Sequence, residues 1–429
     1  MKILVISLEV WRDDNNGGNV LSNIFSDLEA EFAQVYCSSG FPQNNICKSY
    51  FQMTDAMAIK NILKKQPMGR KVSIDEPQIE TERADDKLEK IKKMGNFEVL
   101  RIAREYVWEF SNYINEELEE FVLDFNPDII FAPCHPSLYV LKLTRHIAKI
   151  TQKPVISYVW DDVYTLSQFS LSPLYWFNRF MIRKSMRKTW PYYSLVYTMT
   201  EIQKNKMEKV FGRPMKILRK SCILPEKLEE KEIQYPIKMI YAGGVYLNRW
   251  RTLLEISKEI KRLNQEGQKM TLDIYTGNRI PKSARKYMDD GVNCRLLDPI
   301  SQEELKMRYK ESDIALHVES FDLKNRLAVR MSFSTKIVDC LESGCAIMAI
   351  CDSKQGGFQY LKNEDAAICI SKVKYVGKEL KKICDNPSIL SEYKKKAFVC
   401  GRKHHLPEEL HEKIHKDLCE VMKNNFKGL

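Results

Sequence analysis

The same opening is written twice in this chain. Lys2 to Leu8 is a short apolar run ending in a polar loop that carries Gly17-Gly18, followed by a helix-like stretch from Asn19 to Phe32. Ile237 to Ala242 is a second apolar run, closed by Gly243-Gly244 and followed by helical spacing from Thr252 to Leu263. Strand, glycine turn and helix in that order begin a parallel α/β sheet, because a right-handed crossover needs a helix to carry the chain back to the next strand. Two such openings in 429 residues, beyond the size at which one core stops growing, predict two doubly wound domains.

Apolar runs of strand length recur behind each opening. In the first half they are Ala33 to Cys37, Asp128 to Ala132, Val155 to Trp160, Ser194 to Thr198 and Met215 to Leu218. In the second they are Thr271 to Tyr275, Asn293 to Leu297, Asp313 to Val318, Cys345 to Ile350 and Ala366 to Ile370. Leu100, Ala103, Val107, Phe110, Ile114, Leu118, Phe121 and Phe125 are spaced three or four apart, predicting one face of a long helix buried on a sheet. Lys60 to Asn96 carries a high load of Lys, Glu and Asp and reads as a solvated insertion with some helix. Leu224 to Pro236 is proline-bounded and weakly apolar, a linker. The expected division is 1–223, linker 224–236, second domain 237–400, and a C-terminal helix over 401–429.

A hydrophobic content of 44% with only 17 Gly and 16 Pro excludes a fibrous or low-complexity chain. The apolar run after Lys2 is shorter than a signal-peptide core, and no stretch approaches the 18 or so apolar residues of a membrane span, so a cytoplasmic protein is expected. The 12 cysteines form no Cys-x-x-Cys pair and sit in apolar runs, which fits buried free thiols. The net charge of +11 suits anionic substrates such as nucleotide diphosphates, an anionic membrane surface, or nucleic acid. No nucleic-acid motif is present.

Three segments carry candidate chemistry. Gly17-Gly18 lies between the first strand and first helix, where glycine lets the backbone approach a phosphate; the dinucleotide fingerprint Gly-x-Gly-x-x-Gly is absent. Gly243-Gly244 is followed by Arg249 and Arg251, whose planar forks match phosphate oxygens. Ser334-Thr335-Lys336 opens a helix that puts Asp339 three residues beyond Lys336 and ends at Gly344. A cation and a carboxylate beside a helix start can hold phosphate and ribose hydroxyls respectively.

This arrangement resembles the GT-B glycosyltransferases, especially the retaining group 1 (family 4-like) type of bacterial polysaccharide synthesis, most strongly from Ile237 to Leu361. The resemblance matches Gly17-Gly18 to the family's first glycine loop, and Gly243, Gly244 and Arg249 to its second. It matches Ser334, Lys336, Asp339 and Ser343-Gly344-Cys345-Ala346 to the family's Ser-x-Lys, acidic and small-Gly segments. The chain departs from the pattern at Met331, where the first of two glutamates belongs, at Ala346 in place of proline, and at Gly244 in place of arginine.

The resemblance implies two Rossmann-like domains facing a central cleft and transfer of a sugar from a nucleotide diphosphate sugar to a glycan or lipid-linked acceptor, with retention. Arg249 and Lys336 then meet the diphosphate charge, and Gly17, Gly18, Gly243, Gly244, Ser334, Thr335 and Asp339 bind the donor. His135 stands near the reacting sugar, and Asp161 and Asp162 lie on the acceptor side. No metal and no cofactor are implied, nor any nucleic-acid partner. An epimerase of the same fold and a non-catalytic membrane-surface scaffold stay open as alternatives. His404, His405, His411 and His415 read as a solvated basic helix. Phe169 to Tyr193 interleaves aromatic and basic residues without an acid, so it reads either as a peripheral contact with the inner face of the plasma membrane or as a packed helix.

Overall fold

In a computed structural model, residues 1–14, 16–73, 98–229 and 231–426 are described. The first sheet is built from β1 (Lys2–Ser7), β2 (Glu31–Tyr36), β3 (Ser49–Gln52), β4 (Arg70–Val72), β5 (Ile129–Pro133), β6 (Val155–Val159), β7 (Tyr193–Thr198) and β8 (Lys216–Ile217). The second contains β9 (Ile237–Ala242), β10 (Met270–Tyr275), β11 (Cys294–Leu297), β12 (Ile314–Val318), β13 (Ala346–Ile350) and β14 (Ile368–Ile370). Their orders are β4-β3-β2-β1-β5-β6-β7-β8 and β11-β10-β9-β12-β13-β14. Every pairing is parallel except the edge pair β3–β4. Both faces of each sheet are covered, so central strands such as β5, β6, β12 and β13 are buried at every residue.

The expected strands are present, with two short additions, β3 and β4. The first helix runs Asn16–Phe25 rather than to Phe32, because Glu31 already begins β2. Gly18 in that helix is a steric necessity: a Cβ there would lie 2.0 Å from the Arg12 carbonyl oxygen.

The long helix expected over 100–125 is two helices, Glu98–Phe110 and Glu116–Phe125. Asn115 breaks it by accepting a hydrogen bond from the Leu118 amide, an N-cap that starts the second helix. Leu118, Phe121 and Phe125 bury as expected, whereas Leu100, Ala103 and Phe110 face outward. The polar insertion is described only up to Ser73, and the rest of it lies outside the described residues.

Of the C-terminal histidines, His404 and His415 are exposed as expected, whereas His405 and His411 are not. His405 is buried at the break between helices Ser388–His404 and Pro407–Phe426, bridging the Lys220 carbonyl (2.8 Å) and the Tyr360 hydroxyl (2.9 Å). His411 pairs with Asp27 at 2.9 Å. The last helix returns to the first sheet, where Asp417 accepts from the Tyr197 hydroxyl and from Lys216, each at 2.7 Å. The 12 cysteines are all free thiols, most of them buried. Among the described residues no helix is long and apolar enough to cross a membrane.

Candidate active site in the interdomain cleft

Strand order reverses between β1 and β5 in one sheet and between β9 and β12 in the other. Loops leaving such a reversal diverge, which opens a crevice beyond the carboxyl ends of the strands. Both crevices open into one cleft of about 610 Å³. The first sheet contributes Ser7, Gly17, Gly18, His135, Trp160 and Asp161; the second contributes Tyr246, Arg249, Glu319, Ser332, Ser334 and Thr335.

Arg249 opens the helix Arg249–Leu263, whose N-cap Asn248 forms no side-chain cap. Its guanidinium is buried and already engaged: Nε donates to Glu319 Oε2 at 2.8 Å and Nη2 to Oε1 at 2.9 Å. The bidentate grip expected on a diphosphate is therefore taken by Glu319, and Nη1 alone is left, buried without a hydrogen-bond partner. Burial disfavours the Arg249 charge, but the Glu319 carboxylate more than restores it, leaving the pKa raised. The Tyr246 ring lies 4.8 Å from the guanidinium carbon.

Lys336 stands one layer behind the cleft lining. Its ammonium donates to the Tyr241 hydroxyl at 2.6 Å and to the Gly244 carbonyl at 3.3 Å. Gly243 has φ +126°, and a Cβ there would meet Lys336 Cε at 2.4 Å, so the glycine loop and the lysine are built around each other. Burial, helped by the nearby Arg249 charge, pushes the Lys336 pKa down to about 8.

Asp339 does not line the cleft either; it pairs with Lys220, from the first half of the chain, at 3.2 Å. Its helix, Lys336–Glu342, is short and begins at Thr335 without a side-chain cap.

His135 does line the cleft, 6.0 Å from the Trp160 ring, with Nε2 buried and unpartnered. The expected acidic pair divides. Asp161 is exposed and accepts from the Ser332 hydroxyl, a hydrogen bond that crosses the cleft. Asp162 is buried and saturated by its own loop: it accepts from the Tyr164 and Thr165 amides, from Gln168, and from Arg179 at 3.1 Å. It lines the cleft beside Asp161, with its carboxylate stapling its own loop. Among the described residues no group of three or more His, Cys, Asp or Glu is placed to hold a metal ion.

Glu319 and Ser332 were not singled out by sequence. The only available signal was an acid at the end of a buried run, Ile314 to Glu319, and its arginine partner lies 70 residues away.

Burial holds three imidazoles uncharged: it lowers the pKa of His135 to about 4, His317 to about 3 and His405 to about 4, with Lys336 and Arg249 adding to the effect at His317. Both ring nitrogens of His317 are buried without partners. In the unfolded chain these rings protonate near pH 6.5. Below that pH the unfolded chain binds protons the fold refuses, so stability is full above about pH 7 and declines as pH falls from about 6.5 toward 4. Urea midpoints at pH 7 and 4.5 should show the decline, and His317→Asn should reduce it. Equal midpoints would mean that the rings carry charge in the folded protein.

No protein-family model matches the sequence, and no curated protein does. Solved structures are similar over nearly the whole chain. Anabaena HepE in complex with UDP and glucose is 12% identical with a TM-score of 0.59, covering 98% of this chain and 100% of that one. Sucrose-phosphate synthase from Thermosynechococcus elongatus is 10% identical, TM-score 0.61, covering 99% and 100%. Trehalose 6-phosphate synthase from Burkholderia multivorans is 9% identical, TM-score 0.60, covering 99% of each chain. The chain has the fold of the GT-B glycosyltransferases, two Rossmann-like domains closing on one central cleft.

Proposed function

We propose that this protein is a glycosyltransferase that moves a hexose from a nucleotide diphosphate sugar to a glycan or lipid-linked acceptor in cell-surface polysaccharide synthesis, with retention and without a metal or cofactor. The observation that carries the reading is the surplus positive charge at the second crevice, where Glu319 offsets Arg249 but the Lys336 ammonium behind the lining meets only neutral partners among the described residues. The unpartnered Arg249 Nη1 sits at an uncapped helix start, with the Lys336 ammonium immediately behind on the glycine loop. A GT-B structure that is similar to this one holds UDP and glucose.

In the reaction, the bond between the anomeric carbon and the β-phosphate oxygen breaks while a bond to the acceptor hydroxyl oxygen forms, and the hydroxyl's proton passes to the departing phosphate oxygen. Negative charge collects on the departing nucleoside diphosphate. Fixed positive charge and helix-end amides aimed at that place lower the barrier, because they need no reorganisation as the charge develops. Arg249 contributes Nη1, Lys336 contributes potential through the loop it packs on, and Ser334 and Thr335 line the phosphate side. Asp339 reaches the ribose by exchanging Lys220 for its hydroxyls. His135, neutral at physiological pH, offers Nε2 to the sugar. Asp161 closes the cleft against Ser332 at the acceptor side, which belongs to the first domain, positioned at the inner face of the plasma membrane.

Thermal shift against UDP, GDP, ADP and their sugars tests this reading. One nucleoside diphosphate should raise the melting temperature, and its sugar should be turned over only when an acceptor is present, with the rate unchanged in EDTA. No response to any nucleotide would remove the transferase reading. Conversion of the sugar without acceptor would replace it by epimerisation, and loss of rate on chelation would reinstate a metal.

A further inference from the structure

The helix Pro173–Thr189 has two different faces. Asn178, Arg179, Ile182, Met186 and Thr189 are buried, so the inner face belongs to the domain. Trp190 and Tyr193, at its end, are core residues. Among the described residues nothing covers the outer face, which is apolar: Leu171, just ahead of the helix, is 88% exposed and Phe180 55%, with Leu174, Phe177 and Met181 beside them. The helix Glu98–Phe110 packs alongside and continues the patch through Val99, Leu100, Tyr106 and Phe110, the last 75% exposed. A patch spread over two neighbouring helices asks for a cover, since a monomer rarely leaves so much contiguous apolar surface in water.

Between these helices lies a groove of about 510 Å³. Ile102, Tyr106, Leu138, Phe177 and Met181 give it apolar walls, and Lys184 and Lys188 stand on its rim. Its two acids are already occupied. Glu109 pairs with Lys142 at 2.7 Å, and Glu105 accepts from the Leu138 amide at 2.9 Å. Among the described residues no carboxylate lies within ion-pair distance of Lys184 or Lys188, and the segment from Phe169 to Tyr193 contains no acid. Arg187, on the same helix, is spent on the Tyr164 hydroxyl. Asn178 lines this groove and the interdomain cleft alike, so one helix separates the two cavities.

We infer that the outer face of helices 98–110 and 173–189 docks on an anionic phospholipid bilayer, and that the groove takes the apolar chain of a lipid whose headgroup lies toward the cleft. Exposed Leu and Phe entering the interface, with lysines at headgroup level that no described carboxylate pairs, is the complement of such a surface, and attraction of this kind weakens with salt. That the headgroup is the sugar acceptor rests on the glycosyltransferase reading; the docking itself does not.

Sedimentation of the full chain with vesicles separates the two. The protein should bind vesicles of phosphatidylglycerol and phosphatidylcholine at about 0.05 M salt, release at about 0.5 M, and ignore phosphatidylcholine alone. Leu171→Glu with Phe180→Glu, and separately Lys184→Glu with Lys188→Glu, should each weaken binding at least tenfold. Calorimetry with the nucleoside diphosphate should give the wild-type affinity for both variants, which also verifies their fold. Absence of vesicle binding at low salt, or binding unchanged in both variants, overturns the inference whatever the nucleotide result. If the wild type is a dimer that Leu171→Glu with Phe180→Glu dissociates, the cover is a second copy and the inference equally falls. Vesicle binding without nucleotide binding would sink the transferase reading and leave the docking face standing.

Discussion

Lys336→Ala should lower turnover of the nucleotide-sugar donor by roughly 10- to 100-fold, the effect of removing a fixed charge worth about 1.5–3 kcal/mol to the departing diphosphate. The fold should persist, because the ammonium is bound only by the Tyr241 hydroxyl and the Gly244 carbonyl and leaves no opposite charge stranded. A second arm uses its pKa, pushed down to about 8 by burial and by Arg249. The lysine is charged below that value and neutral above it, so nucleoside diphosphate affinity should fall as pH rises from 7 to 9. Lys336→Arg, which stays charged, should flatten the fall. Isothermal calorimetry at three pH values decides it: a flat wild-type profile, or near-normal turnover in Lys336→Ala, removes the lysine from the donor site.

The second large effect concerns stability. Glu319→Ala should cost about 3–5 kcal/mol, because it leaves the Arg249 guanidinium buried without its carboxylate. Side-chain exposures of 8% and 4% for the pair mean that water cannot take over the lost contacts. Arg249→Ala exposes the mirror-image problem, so its activity is interpretable only beside its unfolding curve. The double replacement Arg249→Met with Glu319→Leu should recover most of the loss, since two apolar side chains of similar volume pack where the ion pair was. A loss below about 1 kcal/mol for Glu319→Ala in urea titration would show that the pair is solvated in solution.

The two-sheet fold was legible because a doubly wound sheet repeats its grammar: buried strands write continuous apolar runs, and glycine must follow where the chain turns into a helix. β3 and β4 escaped because strands of three or four residues, Ser49–Gln52 and the edge strand Arg70–Val72, are too short to write an apolar run. The periodic stretch over 100–125 misled because helical spacing reports a face but not what covers it, and Phe110 kept the spacing while facing outward. In the cleft, residue types were readable and pairings were not. Asp162 has the composition of a functional acid, yet Arg179 on the following helix claims it; Arg249 has the composition of a phosphate ligand, yet Glu319 claims its fork. Such partners are chosen by tertiary contact between segments that spacing along the chain does not relate.

The returning C-terminal helix has a consequence in time. On a ribosome, β8 is complete at Ile217, but the helix that covers that end of the sheet starts only at Pro407. At roughly 5–20 residues per second, the interval lasts on the order of 10–40 s. Throughout it Tyr197 and Lys216 wait for Asp417, and Asn23 for His411. The nascent first domain is thus an unfinished fold that must stay soluble while the second is made, and it closes only when the helix Pro407–Phe426 arrives behind the whole second sheet.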